Sequence, residues 1–109
     1  MNSDSNRRRA GRTFDRADVI IAESHPLMRI ALLNAVNVVH GFQVVAEAES
    51  RSILFQMLFD FPADALVLDL CLQDVCMLDH VPDLLTIRPG LKIMLLCDDE
   101  DEMQAFHAL

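Results

Sequence analysis

In DALVLDLCLQ, residues 64–73, the apolar side chains Ala65, Leu66, Val67 and Leu68 run without a break into Asp69, with Leu70 behind it. A short continuous apolar run bounded by polar residues suits a strand buried on both faces, the kind found in parallel sheets covered by helices. A carboxylate ending such a strand stands where α/β sheets gather their chemistry, outside the carboxyl ends of the strands at a switch in strand order.

The flanking sequence repeats the unit. Upstream, ADVIIAE (17–23) is a β-branched run, and HPLMRIALLNAVNVV follows with apolar residues at helical spacing and Pro26 suited to a first helical turn. Gly41 marks the expected end of that helix. FQVVAEA (42–48) reads as the next strand and SRSILFQMLFDF (50–61) as the next helix, closed by Pro62. Downstream, CLQDVCML reads as a loop, DHVPDLLTIR (79–88) as a short helix, LKIMLLC (91–97) as a fourth strand, and DDEDEMQAFHAL as the start of a fourth helix. Strands alternating with helices predict a doubly wound α/β sheet, with Glu23, Asp69, Cys71 and Cys97 at or next to strand carboxyl ends.

The chain has 109 residues, 52 % of them hydrophobic, and carries a net charge of −8. That length suits one domain. Residues 1–16 hold five arginines against two aspartates, a net +3 that leaves −11 on the other 93 residues. We read 1–16 as a disordered basic tail and 17–109 as the folded domain. The acidic body is a poor surface for a phosphate backbone, so DNA contact would need the tail or an output domain outside this chain. No apolar run is long enough to span a bilayer and the N-terminus lacks a signal-peptide core, so no membrane association and a cytoplasmic location are expected. Three cysteines without framework spacing suit a reducing compartment.

VIIAESHPLMRIAL, GFQVVAEAES, ALVLDL and LKIMLLC, in this order and spacing, resemble the receiver domain of bacterial two-component response regulators, the NarL/LuxR-like subgroup in particular. The resemblance covers residues 17–109. It implies a flavodoxin-like sheet of order 2-1-3-4-5 and makes Asp69 the position that accepts a phosphoryl group from a histidine kinase. It makes Glu23 and Asp69, with the backbone carbonyl of Cys71, the Mg²⁺ ligands. The family's second acid after the first strand is matched by Ser24, which weakens a site for a hard cation. Cys97 matches the switch position, where the family has threonine or serine; a thiol is the weaker hydrogen-bond donor. The family's lysine, fifth strand and fifth helix have no counterpart before Leu109, so the fold is expected to be truncated after about four βα units.

The expected function is a signalling module and not an enzyme: an atypical receiver of a transcriptional regulator, with impaired Mg²⁺-dependent aspartyl phosphorylation, acting through protein contacts. The alternative is a working receiver phosphorylated on Asp69. A nucleotide- or flavin-binding enzyme on this architecture is disfavoured because the turn AESHP has no glycine to admit phosphates. A fourth strand without a neighbour would expose the apolar edge IMLL, so self-association is expected. Of the remaining features, Cys71, Cys76, Cys97 and His80 lack paired zinc-ligand spacing. DDEDE (98–102) suits a helix start, the second helix has more apolar residues than one core-facing stripe needs, and His25 and His40 read as surface or capping residues.

Overall fold

The structure, a computed structural model, describes residues 16–97. Its strands and helices are β1 (Ala17–Ala22), α1 (Pro26–Asn37), β2 (Phe42–Ala48), α2 (Arg51–Asp60), β3 (Ala65–Asp69), β4 (Cys71–Leu72), β5 (Val75–Cys76), α3 (Val81–Ile87) and β6 (Lys92–Leu96). A 3₁₀ turn, Leu78–His80, leads into α3. The main sheet has the order β2-β1-β3-β6, every pairing parallel. This is the first four places of the expected 2-1-3-4-5 order. The basic tail up to Asp15, the acidic run from Asp98 and the helix expected after it lie outside the described residues.

Side chains alternate across the sheet. On one face Ile20, Ala22, Leu66, Leu68 and Ile93 pack with Leu54 and Leu58 of α2 and Leu84 of α3. On the other, Val19, Ile21, Val67 and Leu96 pack with Leu32, Leu33 and Val36 of α1. The register shifts once: Val19 pairs with Val44 but Ile20 with Ala46, so Val45 is a bulge. Val45 and Ala46 consequently both pack against the α2 side.

Local chemistry sets the boundaries. Ser50 caps α2, its Oγ accepting from the Ile53 N–H at 3.3 Å. The far end of α2 is closed by Arg88, whose Nη2 donates to the carbonyls of Leu58 (2.6 Å) and Phe61 (2.9 Å). The surplus apolar surface of α2 is mostly absorbed: Leu54 and Leu58 are buried, Ile53, Phe55, Met57 and Phe61 pack beside them, and Phe59 stays 70 % exposed. Helix α1 ends at Asn37, earlier than Gly41 suggests; the Asn37 side chain accepts the Val44 N–H at 3.1 Å, and Gly41, at φ 95°, belongs to the turn into β2.

The segment expected as a loop after Asp69 is instead a small antiparallel hairpin, β4 with β5. Its two-residue turn, Gln73 (φ 51°) and Asp74 (φ 65°), has positive φ at both positions, the sense that matches strand twist in tight hairpins.

Candidate functional site at the carboxyl ends of the strands

Register and alternation together deliver two carboxylates to one place. Ala22 pairs with Leu68, so Glu23 and Asp69 are the next residues of adjacent strands. Both fall in phase with the side chains on the α1 face, Val19 and Ile21 in β1 and Val67 in β3. Glu23 is 3 % exposed, and the Asp69 side chain 13 %. The two carboxyls approach within 4.8 Å of each other. Asp69 Oδ1 also accepts the Cys71 N–H at 3.2 Å.

These residues open into a cleft of about 870 Å³ whose lining includes Glu23, Ser24, His25, Asp69, Cys71 and Cys97, so the phosphoacceptor, metal and switch positions that the resemblance implies are brought to one mouth, without Cys76, His80 or His40. Asp69 pairs with Leu96, which places Cys97 at the adjacent strand end. None of the three cysteines is in a disulfide. Cys71 faces Cys76 across the β4–β5 hairpin.

Ser24 has a structural task. Its Oγ accepts the Gln73 N–H at 3.3 Å, tying the β1–α1 turn to the tip of the hairpin. The hydroxyl thus holds a loop where the resemblance expects a second acid.

Three features escaped the sequence reading. His25 is no ordinary surface or capping residue, although it occupies the N-cap position of α1. Its ring makes no capping bond to the helix. Instead Nδ1 lies 2.7 Å from Glu23 Oε2 and 4.0 Å from Asp69 Oδ2, and its backbone N–H donates to the same Glu23 oxygen at 3.0 Å. Its place two residues beyond Glu23, just before Pro26, was the available signal. Arg29 donates to the Glu23 carbonyl at 2.9 Å and pairs with Glu47 at 3.4 Å, bracing the turn against β2. The third feature is the position of the chain's single lysine. Lys92 pairs with Ala65 at the opposite end of the sheet, four residues from Leu96 and so about 13 Å away along the strand.

The electrostatics follow from this crowding. Burial pushes the Asp69 carboxyl up to about 6, and the neighbouring Glu23 charge adds to the effect. Burial also works against Glu23, but the two bonds from His25, with the nearby Asp69 carboxyl and the His25 charge, outweigh it and hold that carboxyl below its ordinary value. The bond to Glu23 raises the His25 imidazole.

No family model matches the chain, and no curated protein matches it. Solved structures do share its fold. The receiver domain of the putative response regulator NarL from Mycobacterium tuberculosis superposes with a TM-score of 0.71 at 17 % identity, over 85 % of this chain and 77 % of that one. RcsB from Salmonella enterica serovar Typhimurium, bound to promoter rprA in the presence of phosphomimetic BeF3⁻, gives 0.69 at 23 % identity, over 76 % of this chain and 43 % of RcsB. A response regulator from Burkholderia pseudomallei with a phosphorylated aspartic acid, calcium ion and citrate gives 0.69 at 15 % identity, over 84 % and 54 %. The match to RcsB thus spans less than half of that protein. The fold is that of response-regulator receiver domains, flavodoxin-like, as the sequence resemblance implies.

The donor set fits a divalent cation. Glu23, His25 and Asp69 offer three ligand atoms within 4.8 Å of one another. Two carboxylates held this close repel when both are ionised, a conflict that a dication relieves. Among the described residues, no helix is long and apolar enough to cross a membrane.

Proposed function

We propose that the chain is a receiver-like signalling module of a transcriptional response regulator, not an enzyme, in which Asp69 occupies the phosphoacceptor position but takes a phosphoryl group poorly. One observation carries the reading: Glu23 and Asp69 converge at the strand ends of a receiver fold, while Lys92 lies about 13 Å away. The alternative, a working phosphoacceptor served by a histidine kinase, draws support from the same two carboxylates and from the phosphorylated aspartic acid of the Burkholderia protein.

A dication such as Mg²⁺, held by Glu23, Asp69 and the Cys71 carbonyl, would supply charge neutralisation at a phosphoryl group. Among the described residues, His25 is the one basic side chain that reaches both carboxyls. Ser24 contributes a hydroxyl already bound to Gln73, and Arg29 is engaged with Glu47 and the Glu23 carbonyl. At about 5 Å and an effective dielectric near 20, a missing unit charge withholds about 3 kcal/mol from a phosphoryl anion. Phosphoryl transfer relies on positioning and charge neutralisation, so that loss falls directly on the rate.

Incubation with Mg²⁺ and acetyl phosphate tests the reading. Slow, substoichiometric labelling of Asp69 is expected. Rapid, stoichiometric, hydroxylamine-sensitive phosphate on Asp69 establishes the alternative.

Contacts with other chains are the proposed route of action. β6 has β3 as its one strand neighbour among the described residues, and Met94 on it is 61 % exposed. An apolar strand edge of this kind is a template for pairing, and a second copy of the chain is the proposed partner.

A further inference from the structure

We propose that His25 is itself a ligand at the cation site, so that the site selects a first-row transition dication of the Mn²⁺ to Zn²⁺ series over Mg²⁺. The proposal rests on the reading of Glu23, Asp69 and the Cys71 carbonyl as metal ligands and assigns a fourth protein donor and a metal class to that site.

The geometry is that of donors around one ion. Metal–ligand bonds near 2.1 Å put neighbouring donors of an octahedral ion about 3 Å apart and opposite ones about 4.2 Å apart. His25 Nδ1 stands 2.7 Å from Glu23 Oε2 and 4.0 Å from Asp69 Oδ2, each within about 0.3 Å of one of those separations.

The backbone at His25 is anchored while its ring is not confined. The N–H is held by Glu23, and Pro26 follows as the first residue of α1. The side chain is 76 % exposed, and its polar partners are the two carboxyls. A small rotation of the ring therefore admits an ion between the three groups without disturbing the core.

Donor chemistry then decides the metal. Mg²⁺ is served by oxygen and keeps several waters, whereas an imidazole nitrogen suits transition ions, whose affinity for mixed nitrogen and oxygen sites rises from Mn²⁺ towards Cu²⁺. The Ser24 hydroxyl, a possible oxygen ligand, is committed to the hairpin tip at Gln73. Two carboxylates, one histidine and the Cys71 carbonyl leave coordination positions open on an octahedral ion, and the cleft of about 870 Å³ has room for water in them.

Calorimetric titration of the purified chain with NiCl₂ and with MgCl₂ tests the proposal, in wild type and in His25→Phe, His25→Gln, Glu23→Gln, Asp69→Asn and Cys71→Ser. Ni²⁺ should bind at least about a hundredfold more tightly than Mg²⁺. His25→Phe and His25→Gln should weaken Ni²⁺ by at least the roughly tenfold that losing even an outer-shell partner costs, with Mg²⁺ changed by less than about twofold. Cys71→Ser, which keeps the backbone carbonyl, should leave Ni²⁺ binding intact. Mn²⁺ should broaden the His25 ring resonances selectively among the histidines. An unchanged ratio of Ni²⁺ to Mg²⁺ affinity in both His25 variants overturns the proposal and leaves the receiver reading standing if Mg²⁺ binding still needs Glu23 and Asp69. Binding of either ion that is indifferent to Glu23→Gln and Asp69→Asn overturns both.

Discussion

Glu23 and Asp69 follow one another across neighbouring parallel strands with their carboxyls within 4.8 Å, one of them held below its ordinary value and the other pushed up to about 6. The pair sets how stability depends on pH. A carboxyl whose folded value exceeds its ordinary 3.8 binds a proton more tightly in the folded state, so raising the pH from about 4 through 6 removes stability. The His25 imidazole, raised by Glu23, acts in the same sense: its contribution is full below its ordinary value and fades as pH rises through the folded one. Glu23 acts oppositely and loses its contribution on acidification.

Asp69→Asn should therefore stabilise the metal-free protein at pH 7.5 by about 2 kcal/mol, a rise in Tm of several degrees, and give no gain near pH 3.5. Saturating dication should shrink the difference at pH 7.5. Thermal melts at the two pH values check this; an equal gain at both would mean that the ionised carboxylate carries no penalty.

Ser24→Asp should restore an anionic ligand and tighten Mg²⁺ by about tenfold, equivalent to about 1.4 kcal/mol. Without metal, the same change should lower Tm, because a third carboxylate joins the pair. Calorimetric titration and melts of the same preparation measure the two effects.

Arg88→Ala should cost about 2 kcal/mol, since it removes two charge-assisted bonds to carbonyls at the end of α2. Lysine at this position should recover only part of the loss, because an ammonium does not present the fixed fork of a guanidinium. Urea midpoints of the three proteins give the order.

Met94→Lys should shift the protein towards monomer by placing a charge on the β6 edge strand. Sedimentation at micromolar concentration should show a dimer for wild type and a slower species for the variant. Matching profiles would point to an assembly surface elsewhere.

The strands were legible because parallel strands are read directly as apolar runs: DVIIA, ALVLD and KIMLL all pair as that pattern implies, although β6 leaves Met94 and Leu95 exposed. Glu23 and Asp69 were legible because they end such runs. The β4–β5 hairpin was not. Its strands have two residues each, and the pair Gln73-Asp74 lacks the glycine that usually marks a turn with positive φ. Contacts remote in sequence were equally hidden: nothing near Ser24 points to Gln73, 49 residues on, or near Arg88 to Leu58, 30 residues back. His25 was misread because its neighbours suggest a helix cap, whereas the buried carboxyl beside it is the stronger acceptor.

The bulge at Val45 has a consequence for the length of β2. Because Val45 is extra, Glu47 pairs with Ile21 and meets Arg29 on the α1 side. Were Val45 to enter the ladder opposite Ile20 instead of bulging, the parity of the strand would invert from that point, opposing Glu47 to Ala22 and aiming a carboxylate at Leu54 and Leu58. A β2 shortened by Val45 alone would therefore keep Glu47 opposite Ile21 and retain the brace that Arg29 supplies to the site, whereas a strand of full length pulled straight would forfeit it.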